Sequence, residues 1–271
     1  MVELVASHYT LTGAGFAEPP RHGFAERCRA AADAGFAGIG VHVDELDRTP
    51  PADMRAVLDA TGLRVVEIEF LGGWALDGPD TALVERIEAV ADAVGGRHVS
   101  TGEFRAGDLD RTAAAQRLRE LADRLAARGL LLALEAFPWS ALDGPAAAAD
   151  LLRLASTAGA GLMVDVWQFW NGGGDPGMLA DVPVAAVQLN DGPYVRPATP
   201  AEYLHHARAA RQLPGTGELD VVGLVRAAAA AGFTGPWSVE VNTPQLRALP
   251  AAEAARQAAS TARAVLDEAL G

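Results

Sequence analysis

Lysine is absent: all 22 basic residues of this 271-residue chain are arginine. Schiff-base catalysis and the nucleotide-binding P-loop both need that amine, so both are excluded. Cysteine is almost absent as well. Cys28 stands alone, so no internal disulfide forms, and a reducing, cytoplasmic setting is expected. There is no run of about 18 apolar residues, so no transmembrane helix is indicated. The first six residues, Met1 to Ala6, carry no basic stretch ahead of an apolar one, and no secretory signal is read there. Positive charge is in deficit, with 35 acidic residues against 22 basic and a formal net charge of −13. A nucleic-acid partner requires a basic stripe to displace counterions. Neither nucleic acid nor membrane is therefore an expected partner.

What is abundant is core-forming sequence. Half of the residues are hydrophobic and 21% are charged, enough to bury a large interior. Short apolar, β-branched runs alternate with longer Ala/Leu/Arg/Glu stretches of helical period. The runs at 3–6, 38–43, 64–70, 97–101, 130–135, 161–166, 184–189 and 237–241 read as strands. Helical patterns lie near 21–34, 51–61, 79–94, 109–128, 143–157, 175–181, 219–231 and 248–269. Eight strand–helix units of roughly 34 residues suit parallel strands joined by crossover helices. A short repeat supports this: Ala34-Gly35-Phe36-Ala37-Gly38 returns as Ala231-Gly232-Phe233-Thr234-Gly235, each closing a helix with glycine before a strand. An open doubly wound sheet shares the alternation, but no Gly-x-Gly-x-x-Gly follows the first strand. The expected fold is a single α/β (β/α)₈ TIM barrel over residues 1–271.

Buried parallel strands read as nearly continuous apolar runs, so polar residues at their C-terminal ends require a reason. Leu131-Leu132-Ala133-Leu134 ends in Glu135, Leu162-Met163-Val164 in Asp165, and Trp237-Ser238-Val239 in Glu240. Between the last two, Gln188 and Asn190-Asp191 close the seventh run. A single carboxylate in such a place is more often a helix N-cap or half of a surface ion pair. Four consecutive strands each delivering an oxygen to the rim where barrel enzymes do their chemistry point instead to a metal centre. Three clustered carboxylates raise one another's pKa values, and a divalent cation removes that conflict. The all-oxygen set Glu135, Asp165, Gln188 and Glu240 favours Mn²⁺ or Mg²⁺ over zinc.

At these residues the chain resembles the xylose isomerase-like barrel superfamily, the sugar phosphate isomerase/epimerase group that also includes family 2 AP endonucleases. The matching stretches are Leu134-Glu135-Ala136-Phe137, Val164-Asp165-Val166-Trp167-Gln168, Gln188-Leu189-Asn190-Asp191, Leu213-Pro214-Gly215-Thr216-Gly217-Glu218-Leu219-Asp220 and Ser238-Val239-Glu240. The resemblance implies that Glu135, Asp165 and Glu240 ligate metal. Gln188 stands where members often carry His and where those resembling 3-dehydroshikimate dehydratases carry Gln. Arg211, upstream of Pro-Gly-x-Gly, matches an arginine that often contacts substrate; as a plain solvated loop charge it is equally explicable. One departure stands out. Where the family commonly has Asp-x-x-His, this chain has Gln168, which hydrogen-bonds a hydroxyl but is neither acid nor base near neutral pH.

Further candidates surround this set. Glu67 and Glu69 share one face of the third strand by its period of two, and Glu69, nearer the end, is expected to reach the pocket. His8 and His42 lie near the ends of the first two strands, although a lone histidine is more often structural, and the same holds for His98. Trp74, Phe137, Trp139, Trp167, Phe169 and Trp170 follow strand ends; Trp74 and Trp167 are taken as substrate-contacting walls, with ordinary loop packing the alternative. His205 and His206, near Tyr203, sit after the seventh strand in a loop or helix start. Asn171-Gly-Gly-Gly174 reads as a turn rather than a phosphate cradle. Arg105, Arg196 and Arg211 are the arginines placed to meet a phosphate.

The resemblance implies a divalent-metal-dependent isomerase or epimerase of a sugar, sugar phosphate or polyol-derived ketone, working through a metal-stabilised enediolate. Glu135 and Glu240 would remove and return the proton. A lyase resembling 3-dehydroshikimate dehydratase is the runner-up: Gln188 favours it and the lost histidine at 168 opposes it. A barrel that has lost catalysis and serves as a binding or accessory protein is the third. The expected partner is a small molecule, with self-association into a homo-oligomer left open.

Overall fold

The computed structural model describes residues 2–195 and 199–271. Eight parallel strands close into a barrel in chain order: β1 (Leu4–Ala6), β2 (Gly38–His42), β3 (Arg64–Gly72), β4 (His98–Gly102), β5 (Leu131–Glu135), β6 (Ala160–Asp165), β7 (Val184–Leu189) and β8 (Trp237–Val239). The expected TIM barrel is the observed fold. Its strands agree with the sequence reading to within a residue or two at most ends.

The period of two decides which side chains meet which core. Leu132, Leu134, Leu162, Val164, Val187, Leu189, Trp237 and Val239 face outward and join the layer packed under the helices. Their alternates Ala133, Met163 and Ala186 form a separate small cluster within the barrel, joined by Ala185 where the β6–β7 register shifts. The same alternation carries Glu135, Asp165 and Gln188 to the inner side at the strands' C-terminal ends, with Glu240 one residue beyond β8. Register aligns them: Asp165 pairs with Gln188, Gln188 with Ser238, and Gly102 with Glu135.

The outer helices start where acidic caps predict. Asp80, Asp110 and Asp220 each accept backbone N–H bonds at the starts of Thr81–Val94, Arg111–Ala126 and Val221–Ala230. Several connections differ from the sequence reading, with short helices such as His8–Leu11, Trp74–Asp77 and Val166–Asn171 after strand ends. Residues 176–181 form a short 3₁₀ helix, Pro176–Asp181, because Gly172–Gly174 and Pro176 leave no room for a longer helix. After β7 the chain builds a real helix, Pro200–Ala209, started by a reciprocal capping box between Thr199 and Glu202. Among the described residues no helix is long and apolar enough to cross a membrane.

Candidate metal centre at the barrel mouth

Glu135, Asp165, Gln188 and Glu240 converge at the C-terminal end of the barrel, and all four are buried. Asp165 does double duty. Its Oδ1 accepts the Gln168 N–H at 2.9 Å and so caps the short helix Val166–Asn171, while Oδ2 accepts Asn190 Nδ2 at 2.6 Å. The N-cap alternative for a strand-end carboxylate is thus also true of this one residue. Burial raises the pKa of Glu135 well above the usual carboxylate range, and Asp165 and Glu240 add to the shift. Burial likewise pushes Glu240 up to about 7, with Arg211 opposing and Asp165 reinforcing. The Gln188 Oε1 is buried with no hydrogen-bond partner.

Arg211 reaches into the same group. Its Nη1 donates to Asp165 Oδ2 at 2.8 Å and to Glu240 Oε2 at 2.9 Å. Burial works to lower the arginine's pKa, but Asp165, Glu240 and Glu135 outweigh it and the net shift is upward. The Pro-Gly-x-Gly loop places this side chain. Gln212 forms an antiparallel bridge to Asp191. The Asp191 carboxylate accepts N–H bonds from Gly192, Gly217 and Leu219 at 2.8–3.0 Å. Any side chain at Gly217 would run into that carboxylate and into the Gly192 nitrogen, which explains the glycine.

A divalent ion fits this donor set chemically. All four groups are oxygen ligands, one amide oxygen lacks a partner, and the raised pKa values mark negative charge that burial penalises. Arg211 stands between two of them, and among the described residues no three His, Cys, Asp or Glu side chains are already spaced to hold an ion.

Above this floor lies a cavity of about 370 Å³. One wall is a continuous row of rings: Phe70 to Phe104 at 4.7 Å, Phe104 stacked on Phe137 at 4.7 Å, and Phe137 stacked on Trp139 at 5.1 Å between centroids. The opposite side is made by Tyr9, Phe16, Leu204 and Arg208, with the Arg208 guanidinium carbon 5.9 Å from the centre of the Phe16 ring. His42, Glu69, Ser100 and Gln168 also line it. Glu69 accepts a hydrogen bond from Ser7 Oγ at 3.0 Å. Its pKa is raised well above the usual range by burial first, then by Glu240 and Glu67. Burial lowers the His42 pKa, with Asp44 opposing.

Of the residues singled out in the sequence, Glu69, His42, Gln168, Arg211, Phe137 and Trp139 reach this cavity beside Glu135, Gln188 and Glu240. Three expected substrate contacts do not line it. Trp74 is fully buried and its Nε1 donates to Thr101 Oγ1 at 2.7 Å, so it packs beneath the β3–β4 edge. Trp167 is fully buried against Gly192, pulled inward by the helix that Asp165 caps. His8 is buried below the mouth, where its Nδ1 meets Arg27 Nη1 at 3.0 Å. His98 lies deeper in the barrel, 3.6 Å from Glu67. Arg105 is half exposed and bound to Glu103 and Asp77, and Arg196 lies outside the described residues. Tyr9, Phe16, Phe70, Ser100, Phe104, Leu204 and Arg208 were among those not anticipated; the helical period of 200–209 is the one signal that would have placed the last two.

Fold and site together define an α/β barrel with oxygen donors gathered at its C-terminal mouth. A family model described as xylose isomerase-like TIM barrel matches residues 28–265, and the chain belongs to that family. A 3-dehydroshikimate dehydratase of Pseudomonas aeruginosa is 36% identical over 137 residues, which is 49% of this chain and 21% of that protein. The chain thus spans about a fifth of that relative's length. A solved xylose isomerase-like TIM barrel/4-hydroxyphenylpyruvate dioxygenase fusion protein superposes with a TM-score of 0.84 at 22% identity, over 99% of this chain and 43% of that one. The IOLI protein, described with a bound zinc atom, superposes with a TM-score of 0.81 at 17% identity over 99% of both chains.

Proposed function

We propose that this chain is a metal-dependent enzyme that removes a proton beside a carbonyl in a small, ring-shaped hydroxyketone acid and expels water, a dehydration of the 3-dehydroshikimate kind. The observation that carries the reading is the pairing of an oxygen-donor floor with an unbroken aromatic wall. An open-chain sugar offers that wall little, whereas a flat carbocycle covers it with apolar area. The name borne by the Pseudomonas relative supports the same class.

Glu135, Asp165, Gln188 and Glu240 would hold one Mn²⁺ or Mg²⁺, which when bound acts as a Lewis acid on the substrate carbonyl. Glu240, a carboxylate at the floor of the cavity, would take the proton from carbon. Glu69, whose raised pKa favours the protonated form, lines the same cavity and would give a proton to the departing hydroxyl. The proton taken from carbon and the lost hydroxyl together balance as water. Gln168 orients a hydroxyl by hydrogen bonding, and Arg208 faces the cavity as a cation for the substrate carboxylate.

Isomerisation or epimerisation is the second reading. The placement of two carboxyls, Glu135 at the end of β5 and Glu240 just beyond β8, favours it, because one can remove a proton and the other return it. The test is incubation with Mn²⁺ or Mg²⁺ and 3-dehydroshikimate, an inosose or a ketose in D₂O. Growth of aromatic absorbance from 3-dehydroshikimate supports dehydration. Deuterium entering an inosose or ketose without absorbance supports isomerisation. Neither change in a metal-loaded protein overturns both and leaves an accessory barrel.

A further inference from the structure

Strand β3 turns two carboxylates in succession into the barrel, Glu67 and Glu69, and both are buried. The point where a Gly40 side chain would begin lies 3.0 Å from Glu67 Oε2 and 3.2 Å from Glu69 Oε1. The two groups therefore crowd one small space, which Gly40 leaves open. Their surroundings differ. Glu67 is a Cα partner of His98 across β3–β4, and His98 Nε2 stands 3.6 Å from Glu67 Oε1. On the other side of the ring, His98 Nδ1 meets Arg97 Nη1 at 3.3 Å. Arginine only donates, so Nδ1 accepts and the ring carries its proton at Nε2, turned toward Glu67. Arg97, half-buried at the foot of β4, donates to Ala185 O at 2.6 Å and so keeps its charge beneath the pair. Neither Glu67 oxygen has a hydrogen-bond partner. Glu69 accepts from Ser7 Oγ and from the His8 backbone N–H. It also faces Glu240 beyond β8, with Tyr9 and its Cα partner His42 on β2 near it.

Two carboxyls this crowded and this buried do not both ionise near neutral pH; the pair keeps one proton. The His98 N–H dipole and the Arg97 charge favour the anion on the lower group, Glu67, whereas Glu240 disfavours it on the upper group, Glu69. We propose that Glu67 and Glu69 act as one buried acid pair, in which His98 anchors Glu67 as the anion and leaves the shared proton on Glu69, facing the cavity. This rests on the reading of Glu69 as the proton donor, and it makes Glu67 and His98 positioning residues for that donor. In each turnover the Glu69 proton would leave with the departing hydroxyl as water. Two neighbouring carboxylates then remain, and their repulsion draws a proton back to Glu69 from solvent in the cavity. The base meanwhile sheds to solvent the proton taken from carbon, so the cycle closes.

The test is a ¹³C-carboxyl NMR titration of the glutamate-labelled protein, with the Glu69 resonance assigned by its loss in Glu69→Gln. The proposal expects Glu67→Gln to move the Glu69 midpoint down by about one pH unit or more, the coupling at which two sites titrate as a pair. His98→Leu should lower it as well, because the shared proton then passes to Glu67. His98→Gln, whose amide N–H replaces the ring N–H, should stay near wild type. A Glu69 midpoint unmoved by Glu67→Gln, or lowered equally by His98→Leu and His98→Gln, overturns the proposal. Should the Glu67 and His98 variants fail to fold, wild type decides: the Glu69 resonance must show its neighbour's inflection besides its own, and a single inflection overturns the pair. Dehydration is read separately, by aromatic absorbance. The expected titrations without turnover keep the acid pair and sink the dehydration reading; turnover with an unmoved midpoint does the reverse.

Discussion

Beneath the mouth, Arg27 on the helix Phe24–Asp33 is completely buried. Its Nη2 donates to Glu45 Oε2, its Nη1 donates to His8 Nδ1 at 3.0 Å, and Thr49 Oγ1 donates to the other Glu45 oxygen at 3.0 Å. Because an arginine only donates, His8 must accept at Nδ1 and carry its proton at Nε2. His8 in turn packs on His42, whose ring centre is 5.6 Å away and which lines the cavity. Arg27→Met keeps most of the volume and deletes the charge, stranding Glu45 in a site 2% exposed. Breaking a buried pair in this way costs about 3–5 kcal/mol. For 271 residues the entropy of unfolding is about 0.6 kcal/mol/K, so Tm should fall by about 5–9 °C. Arg27→Met/Glu45→Leu removes the stranded charge and should recover most of the loss. Circular-dichroism melts of the four proteins in the cycle read this directly. A fall below about 2 °C for the single variant, or a double variant no better than the single, would refute the reasoning.

Two further outcomes follow from the same geometry. Burial first, then Arg27, holds the His8 pKa well below its ordinary value of 6.5. Its folded pKa lies below the unfolded one, so its stabilising share is present above about pH 6.5 and lost as pH falls from there. The stability of wild type relative to His8→Gln, measured by urea unfolding, should shrink between pH 7.5 and 5.0; an unchanged or widening gap would contradict it. Gly217→Ala drives a methyl into the Asp191 carboxylate and the Gly192 nitrogen. It should cost about 1–3 kcal/mol and loosen the loop that places Arg211, seen as faster hydrogen exchange at residues 212–219; protection equal to wild type would sink that account.

Much of the barrel was legible because nearly continuous apolar runs such as 131–135, 161–165 and 184–189, alternating with helical stretches, mark buried parallel strands and their crossover helices. The set Glu135, Asp165, Gln188 and Glu240 was legible because polar residues stand out at the ends of such runs. What escaped depends on loop paths. Trp74 and Trp139 both follow strand ends, yet one is drawn under the sheet to Thr101 while the other stacks on Phe137 at the mouth. Nothing local to either tryptophan separates these fates. Tyr9 reaches the cavity through the short helix His8–Leu11 after β1 and Phe16 through the loop that follows it, while Leu204 and Arg208 do so through the helix Pro200–Ala209. Arg211 was expected at the substrate; that it ties two of the strand-end carboxylates together is a three-dimensional fact, since Asp165 lies 46 residues away from it in sequence.

The metal centre is the central claim, and elemental analysis tests it most directly. Wild type and Glu240→Gln, stripped with chelator, incubated with Mn²⁺ and desalted, should retain about one ion per chain and far less than one, respectively, with both proteins folded by circular dichroism. A wild type that retains no ion, or a Glu240→Gln protein that retains as much as wild type, would contradict the account.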